Sequence, residues 1–416
     1  MEKIIVIGGG LMGSSAAWQL SQYEEKVLLI EQQGPVYTYG SSYGESRISR
    51  SLGPEEDIFS FIHNKAVSEA KRLISFLNTI ENDALHSMED IYVTNPVTYI
   101  FDDTGTDEIK ALCHPKQQDN HKVATAKNIS EVFGMNLQNS DTVIREYRDY
   151  TGMIKPKVLI SKLHKAIKHH NNEILFSQTI ISISEKDSFY EIETIDSNTL
   201  KSKTFQTEKL VIAAGPYTGK LLTKIAPSFD KLISPVRVFS AFFKIKKATY
   251  KTFTDQEKET IRLSVPLFYQ YGNMFYAMID SIDDDGSAIF KTGGHALYNS
   301  IENMDECWGI KPSAENIEWS GEELYQYLKA INISLEKEDI EYVHGHSCVY
   351  SLTATKIPVV TAVKNKIDNS LVVIGGMNGV GAKGSLCYGL IAANTLLNKH
   401  DDEPMYIKTK EALSTQ

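Results

Sequence analysis

The sequence predicts an α/β fold in two parts: a discontinuous parallel-sheet domain with an antiparallel-sheet α+β domain inserted into it. Three observations predict it. A glycine-rich turn joins a short β-branched strand to a helix at the N-terminus. Two later apolar runs, 210–214 and 371–374, also end in glycine. Between them, residues from about 232 to 300 alternate apolar and polar side chains over short strands, as a half-buried antiparallel sheet does.

Ile4-Ile5-Val6-Ile7 is the run of a buried parallel strand. Gly8-Gly9-Gly10-Leu11-Met12-Gly13 follows at once, and Ser14 to Ser21 reads as a helix through Ala16, Ala17, Trp18 and Leu20. Lys26 to Ile30 is a second strand ending in Glu31. The spacing is G-x-G-x-x-G at Gly8, Gly10 and Gly13, with an acid 18 residues after the last glycine. Gly8 permits a tight turn, Gly10 lets backbone approach a pyrophosphate, and Gly13 lets the helix pack close to the strand. The helix N-terminus, at Leu11 and Met12, then faces the phosphates. Glu31, with Gln32 beside it, can accept hydrogen bonds from a ribose. This Rossmann-like unit predicts a dinucleotide site.

A polar loop spans 32–44, and residues 57–78 repeat apolar side chains at helical spacing. Residues 80–150 read as irregular, with β-like pieces such as Ile91-Tyr92-Val93. From Gly152 a second core-type block begins, with a helix through Leu159 and Ile167, a strand pair over 180–195, and the run 210–214 before Gly215. The expected strands of the inserted layer are 236–245, 267–271, 274–279 and 288–292. A helix is expected at 322–335, a strand at 371–374, a glycine cluster at 375–381, and a helix at 384–397. The expected cofactor domain is 1–80, 150–225 and 336–400; the substrate domain is 81–149 and 226–335; residues 401–416 form a polar, loosely held tail.

Composition narrows the class. Apolar residues make up 42% and charged residues 23%, an ordinary globular balance. Lys plus Arg number 43 against 53 acids, a net charge of −10, which disfavours nonspecific binding to nucleic acid or anionic lipid. Cys113, Cys307, Cys348 and Cys387 lie far apart, with no spacing that suits zinc, so no metal is expected. No apolar run reaches membrane-spanning length, and the N-terminus reads as a strand rather than a signal peptide. A soluble, cytoplasmic, monomeric protein is expected.

Five further motifs carry a family resemblance. They are Gly40-Ser41-Ser42-Tyr43-Gly44-Glu45-Ser46-Arg47-Ile48-Ser49-Arg50, Ala213-Ala214-Gly215-Pro216-Tyr217, Phe290-Lys291-Thr292-Gly293-Gly294-His295, Ser347-Cys348-Val349-Tyr350 and Gly379-Val380-Gly381-Ala382-Lys383. In order and spacing the chain resembles the flavin-dependent amine and amino-acid oxidases of the D-amino-acid-oxidase-like superfamily. The nearest branch is that of monomeric sarcosine oxidase and N-methyltryptophan oxidase. The resemblance runs from Gly8 to the glycine cluster at Gly375.

That resemblance implies FAD, held by the glycine turn, Glu31, Gln32, Ser41, Ser42, Ser46, Arg47, Ala214, Gly215, Gly376, Asn378, Gly379, Gly381 and Lys383. It implies that Arg47 lies near the flavin and that Arg50 and Lys383 grip a substrate carboxylate. Lys291 matches the lysine that promotes the reaction with dioxygen in the resembled enzymes. Tyr276 and His295 would line the substrate side. Cys348 matches the position of a thioether to the flavin, with His344 and His346 just before it to lower its pKa. Val380 and Ala382 depart from the sarcosine oxidase pattern and suggest a bulkier or cyclic substrate.

The implied activity is oxidation of the C–N bond of a secondary amine or amino acid, with dioxygen reduced to hydrogen peroxide. Three alternatives stand beside it: a dehydrogenase of the same fold serving a quinone or protein carrier, an NAD-dependent dehydrogenase, and a non-catalytic flavin-binding protein.

Overall fold

The computed structural model describes residues 2–414 apart from 24–25, 53–56, 83–84, 103–106, 108–119, 138–141, 230, 271–272, 284–285, 295–298, 302–303, 305–306, 366 and 368–369. In chain order the strands begin with β1 (Glu2–Ile7), β2 (Val27–Ile30), β3 (Arg47–Ser49), β4 (Tyr92–Thr94), β5 (Val97–Phe101), β6 (His121–Thr125), β7 (Thr142–Glu146) and β8 (Gly152–Ile154). Next come β9 (Glu173–Leu175), β10 (Gln178–Glu185), β11 (Tyr190–Asp196), β12 (Ser202–Ile212), β13 (Ser234–Ile245) and β14 (Val265–Gln270). The last are β15 (Asn273–Ile282), β16 (Ala288–Gly294), β17 (Asn299–Ser300), β18 (Ile340–Leu352), β19 (Val359–Ala362) and β20 (Leu371–Gly375).

The first sheet runs β10-β11-β12-β1-β2-β9, with β20 also paired to β12 and β19 to β20. Its parallel core is β9, β2, β1, β12 and β20. Side chains alternate along β1. Ile4 and Val6 pack under helices Leu11–Ser21, Ile58–Glu81, Pro156–His169 and Gly381–Leu396, while Ile5 and Ile7 face Ile183, Ile192 and Leu222. The first and the 381–396 helices touch almost backbone to backbone: a Cβ on Gly389 would lie 2.6 Å from the Ser15 carbonyl carbon. Their N-terminal ends meet too, since a Cβ on Gly381 would lie 3.0 Å from Met12 Cε.

The second sheet runs β17-β13-β16-β15-β14-β5-β7-β6, with β18 along β13. One face packs Phe239, Ala241, Phe243, Ala277 and Phe290 against Leu324 and Leu328 of the helix Ala314–Ala330. The opposite face, with Met278, Leu267 and Tyr99, looks towards Ile48 and Leu52 of the loop that carries the 40–50 motif. A small sheet, β3-β8-β4, fastens that loop. No helix among the described residues is long and apolar enough to cross a membrane.

Several expectations need correction. The described residues of the 80–150 region are not merely irregular: β5, β7 and β6 extend the second sheet through a parallel pairing of β5 with β14. The reason is burial, since all five side chains of Val97–Phe101 are buried. The expected 322–335 helix starts eight residues earlier, at Ala314, because the Ser313 side chain caps it by accepting from the Asn316 N–H. It ends at Ala330, just before Asn332 takes a left-handed φ of 62°. The expected run at 210–214 is only the end of β12, whose polar first half pairs with β11. The tail is not loose: Pro404–Ser414 is a helix that buries Tyr406 and Leu413, with the Asn394 side chain donating to the Tyr406 hydroxyl at 2.8 Å. β18 falls within 336–400 and pairs with β13 along its length.

Candidate active site

The glycine turn has no room for side chains. Gly8 has φ +101°, and a Cβ there would meet the Ala213 carbonyl oxygen at 2.4 Å. A Cβ on Gly13 would lie 1.8 Å from the Gly8 carbonyl oxygen. Gly10 is the N-cap of the first helix, and the Leu11 N–H donates to Ser42 Oγ at 3.1 Å. Glu31 is 6% exposed; its carboxylate accepts from the Gly9 N–H at 2.6 Å and the Gln33 N–H at 2.8 Å. Burial raises its pKa, and those backbone donors oppose the rise. Tyr37 donates to the Gly9 carbonyl.

Ala213 and Ala214 follow β12, with the Ala213 N–H on the Ile7 carbonyl at 2.9 Å, and Gly215 comes next at φ +58° with open space around it. Gly376, Asn378 and Gly379 all have positive φ, at 59°, 47° and 77°. The Asn378 side chain accepts from the Thr353 N–H at 2.9 Å, which ties this turn to the end of β18. A Cβ on Gly379 would strike the Tyr350 ring at 2.6 Å.

One face of the second sheet gathers several of the expected site residues, and register shows how. Tyr99, Leu267, Tyr276, Gly293, Ser240 and His346 are successive cross-strand partners, so they form one row across five neighbouring pairings. Met278, Lys291, Phe242 and His344 form the next row. Val238 and Cys348 pair on the other side of the first. All project from the face opposite the 314–330 helix, because side chains alternate along each strand.

The 41–50 loop crosses that face. Lys291, 2% exposed, donates from Nζ to the Ser46 carbonyl at 2.9 Å, and Ser46 Oγ donates to Asp280 at 2.6 Å. Arg47 folds onto its own loop and donates to the carbonyls of Ser46, Ser41 and Tyr43. Ser41 Oγ donates to the Val349 carbonyl at 2.7 Å, beside Cys348. Burial and the Arg47 charge bring the Lys291 pKa down to about 7, against the opposing pull of Cys348 and Asp280. Burial would raise the Cys348 thiol, but a hydrogen bond with His346 and the charges of Arg47 and Lys291 bring it to about 6.

Arg50 lies over the Tyr99 ring at 5.6 Å, at the far end of the first row. Lys383, in the first turn of the 381–396 helix, has its pKa pulled well down by burial and then by Arg50, while Glu146 and Asp57 oppose this. The same two cations help hold buried His63 near a pKa of about 3, after the larger effect of its own burial. Arg50 and Lys383 thus share one electrostatic neighbourhood.

Sequence reasoning missed Glu146. It is 1% exposed and accepts from the Ser51 N–H at 3.1 Å, Ser51 Oγ at 2.9 Å and the Tyr99 hydroxyl at 2.8 Å. It therefore fixes both the ring under Arg50 and the residue after Arg50. An acid closing the run Thr142-Val143-Ile144-Arg145 was the available signal. Tyr276 sits over Gly293, where a Cβ would lie 2.4 Å from its hydroxyl. His295 and Cys113 lie outside the described residues. Cys307 and Cys387 are buried.

FAD fits these residues. The Gly8–Gly13 turn is a backbone cradle that any Cβ would fill, the first helix opens onto it, and a buried acid stands at the end of β2. When bound, the group would be held by that turn, by Glu31, by the 41–47 loop and by the 376–381 turn.

The family model described as FAD dependent oxidoreductase matches residues 3–395. The probable sarcosine oxidase of Arabidopsis thaliana is 26% identical over 392 residues, covering 94% of this chain and 87% of that protein. N-methyl-L-tryptophan oxidase of Yersinia pestis is 24% identical over 397 residues, covering 94% of this chain and 93% of the relative. Among solved structures, the open form of NikD, an unusual amino acid oxidase essential for nikkomycin biosynthesis, matches with a TM-score of 0.74 at 15% identity, over 100% of this chain and 98% of NikD. The match over nearly the whole chain and the glycine cradle agree, and the protein belongs to the FAD dependent oxidoreductase family.

Proposed function

We propose that the protein oxidises the C–N bond of a secondary amine or amino acid that carries a carboxylate, such as an N-methyl or cyclic amino acid, and reduces dioxygen to hydrogen peroxide. The observation that carries this reading is the single sheet face that holds Arg50 over Tyr99 at one end, Cys348 beside His346 at the other, and Lys291 between. FAD, when bound, would supply the acceptor for the hydride lost from the carbon beside the nitrogen. Arg50 and Lys383 hold the substrate carboxylate, the guanidinium by a two-pronged grip and Lys383 as a point charge whose protonated form the bound carboxylate favours. Tyr276 flanks the reacting carbon, and Lys291 offers a fixed cation to the anion formed as dioxygen is reduced. A Cys348 thiol with a pKa of about 6 is largely thiolate at neutral pH, which supports a thioether to the flavin. Cys348 and Cys387, thiols rather than half-cystines, support a reducing, cytoplasmic setting.

The test is peroxide formation with a panel of N-methyl and cyclic amino acids and their decarboxylated counterparts. Turnover with the acids and not the plain amines is expected. Arg50→Met should raise KM for the best acid by roughly 30-fold or more, the cost of losing one partner of a desolvated charge pair. Equal turnover of acids and plain amines would sink the carboxylate assignment.

A further inference from the structure

We propose that Trp308 closes over the adenosine end of the dinucleotide groove and helps hold the nucleotide half of FAD, an inference that rests on the flavoenzyme reading above. β1 lies between β2 and β12 in the parallel sheet. The turns that leave β2 and β12 therefore flank the glycine turn on its two sides, at the strand ends where such sheets bind ligands. The turn after β2 runs from Glu31 to Tyr39 and is braced by Gln33. Its backbone N–H donates to Glu31 at 2.8 Å, and its side-chain amide donates to the Tyr39 carbonyl at 3.0 Å. The turn after β12 is Gly215–Tyr217.

Trp308 spans the two turns. Its ring centroid lies 5.6 Å from that of Tyr39, and its indole N–H donates to the Tyr217 hydroxyl at 2.8 Å. That hydroxyl donates in turn to the Met304 carbonyl at 3.4 Å, which also accepts from the buried Cys307 thiol at 2.9 Å. Trp308 comes from the chain between β17 and the 314–330 helix, so a residue from the second-sheet side bridges the first sheet's two binding turns. Trp308 and Tyr39 are only half-buried, and each keeps aromatic surface beside the turn that starts at Glu31. Glu31 marks the ribose end of a dinucleotide in this fold. A purine base next to it would find a π-face on which to stack.

The test uses the Cys348→Ala protein, stripped of flavin, in which FAD binds reversibly. Trp308→Ala in that background is expected to weaken FAD binding about tenfold to a hundredfold. It should weaken ADP, as a competitor carrying only the nucleotide half, by the same factor. Trp308→Phe keeps a ring against Tyr39 but loses the N–H to Tyr217, and should fall between. Unchanged FAD and ADP constants overturn the proposal. So does weakened FAD with unchanged ADP, which assigns the effect to the flavin half. If the Cys348→Ala protein with Trp308 intact takes up neither ligand, the flavoenzyme reading fails first and this inference with it.

Discussion

Replacing Lys291 with methionine is expected to slow oxygen-dependent turnover by about a hundredfold or more, the usual cost of removing one fixed charge-stabilising group from a dry site. The physical basis is placement. Lys291 is 2% exposed, anchored to the Ser46 carbonyl at 2.9 Å, and surrounded by Phe242, Met278 and the 41–50 loop. Turnover with an artificial dye in place of dioxygen should be nearly unchanged, because a dye needs no cation at that point. With a pKa of about 7, Lys291 is protonated below neutrality and loses its charge above it. The oxygen-dependent rate should therefore fall as pH rises through about 7. Lys291→Arg, which stays charged at every accessible pH, should flatten that decline. Full oxygen activity in the methionine variant would point instead to a dehydrogenase that serves another acceptor.

Gly13→Ala is expected to give a protein that fails to retain flavin and unfolds more easily, by roughly 3 kcal/mol or more given how little the site can relax. The new Cβ would lie 1.8 Å from the Gly8 carbonyl oxygen, a backbone atom that cannot step aside without opening the turn. Gly10→Ala is the informative comparison. Its Cβ would meet Ser42 Oγ at 3.0 Å, the end of a movable side chain, so the fold should survive while cofactor affinity drops. Flavin absorbance per protein and thermal unfolding of both variants check this. A Gly13→Ala protein with full flavin content and unchanged stability would contradict the cradle.

The first dinucleotide turn was legible in the sequence because its constraints are local: a few glycines whose φ angles and close contacts any neighbouring side chain would break. The inward position of Lys291 rests on the motif it shares with the resembled enzymes, since alternation opposite Phe290 would by itself leave a strand lysine facing solvent. Glu146 and Tyr99 were not legible. Their meeting depends on β5 pairing antiparallel with β7, and their place in the second sheet on β5 pairing in parallel with β14, more than 150 residues away; no local pattern encodes either partner. Trp308 escaped notice because its meaning lies in two turns, near residues 39 and 217, that only the fold brings together. The start of the 314–330 helix was readable, however: Pro312-Ser313 ahead of Ala314-Glu315 is a start signal that the apolar spacing alone obscured.

The visible spectrum of the purified protein, before and after acid precipitation, tests the central claim most directly. The account predicts a yellow protein whose colour stays with the denatured pellet, and Cys348→Ala should release that colour to the supernatant. A colourless protein that takes up no added FAD would contradict it.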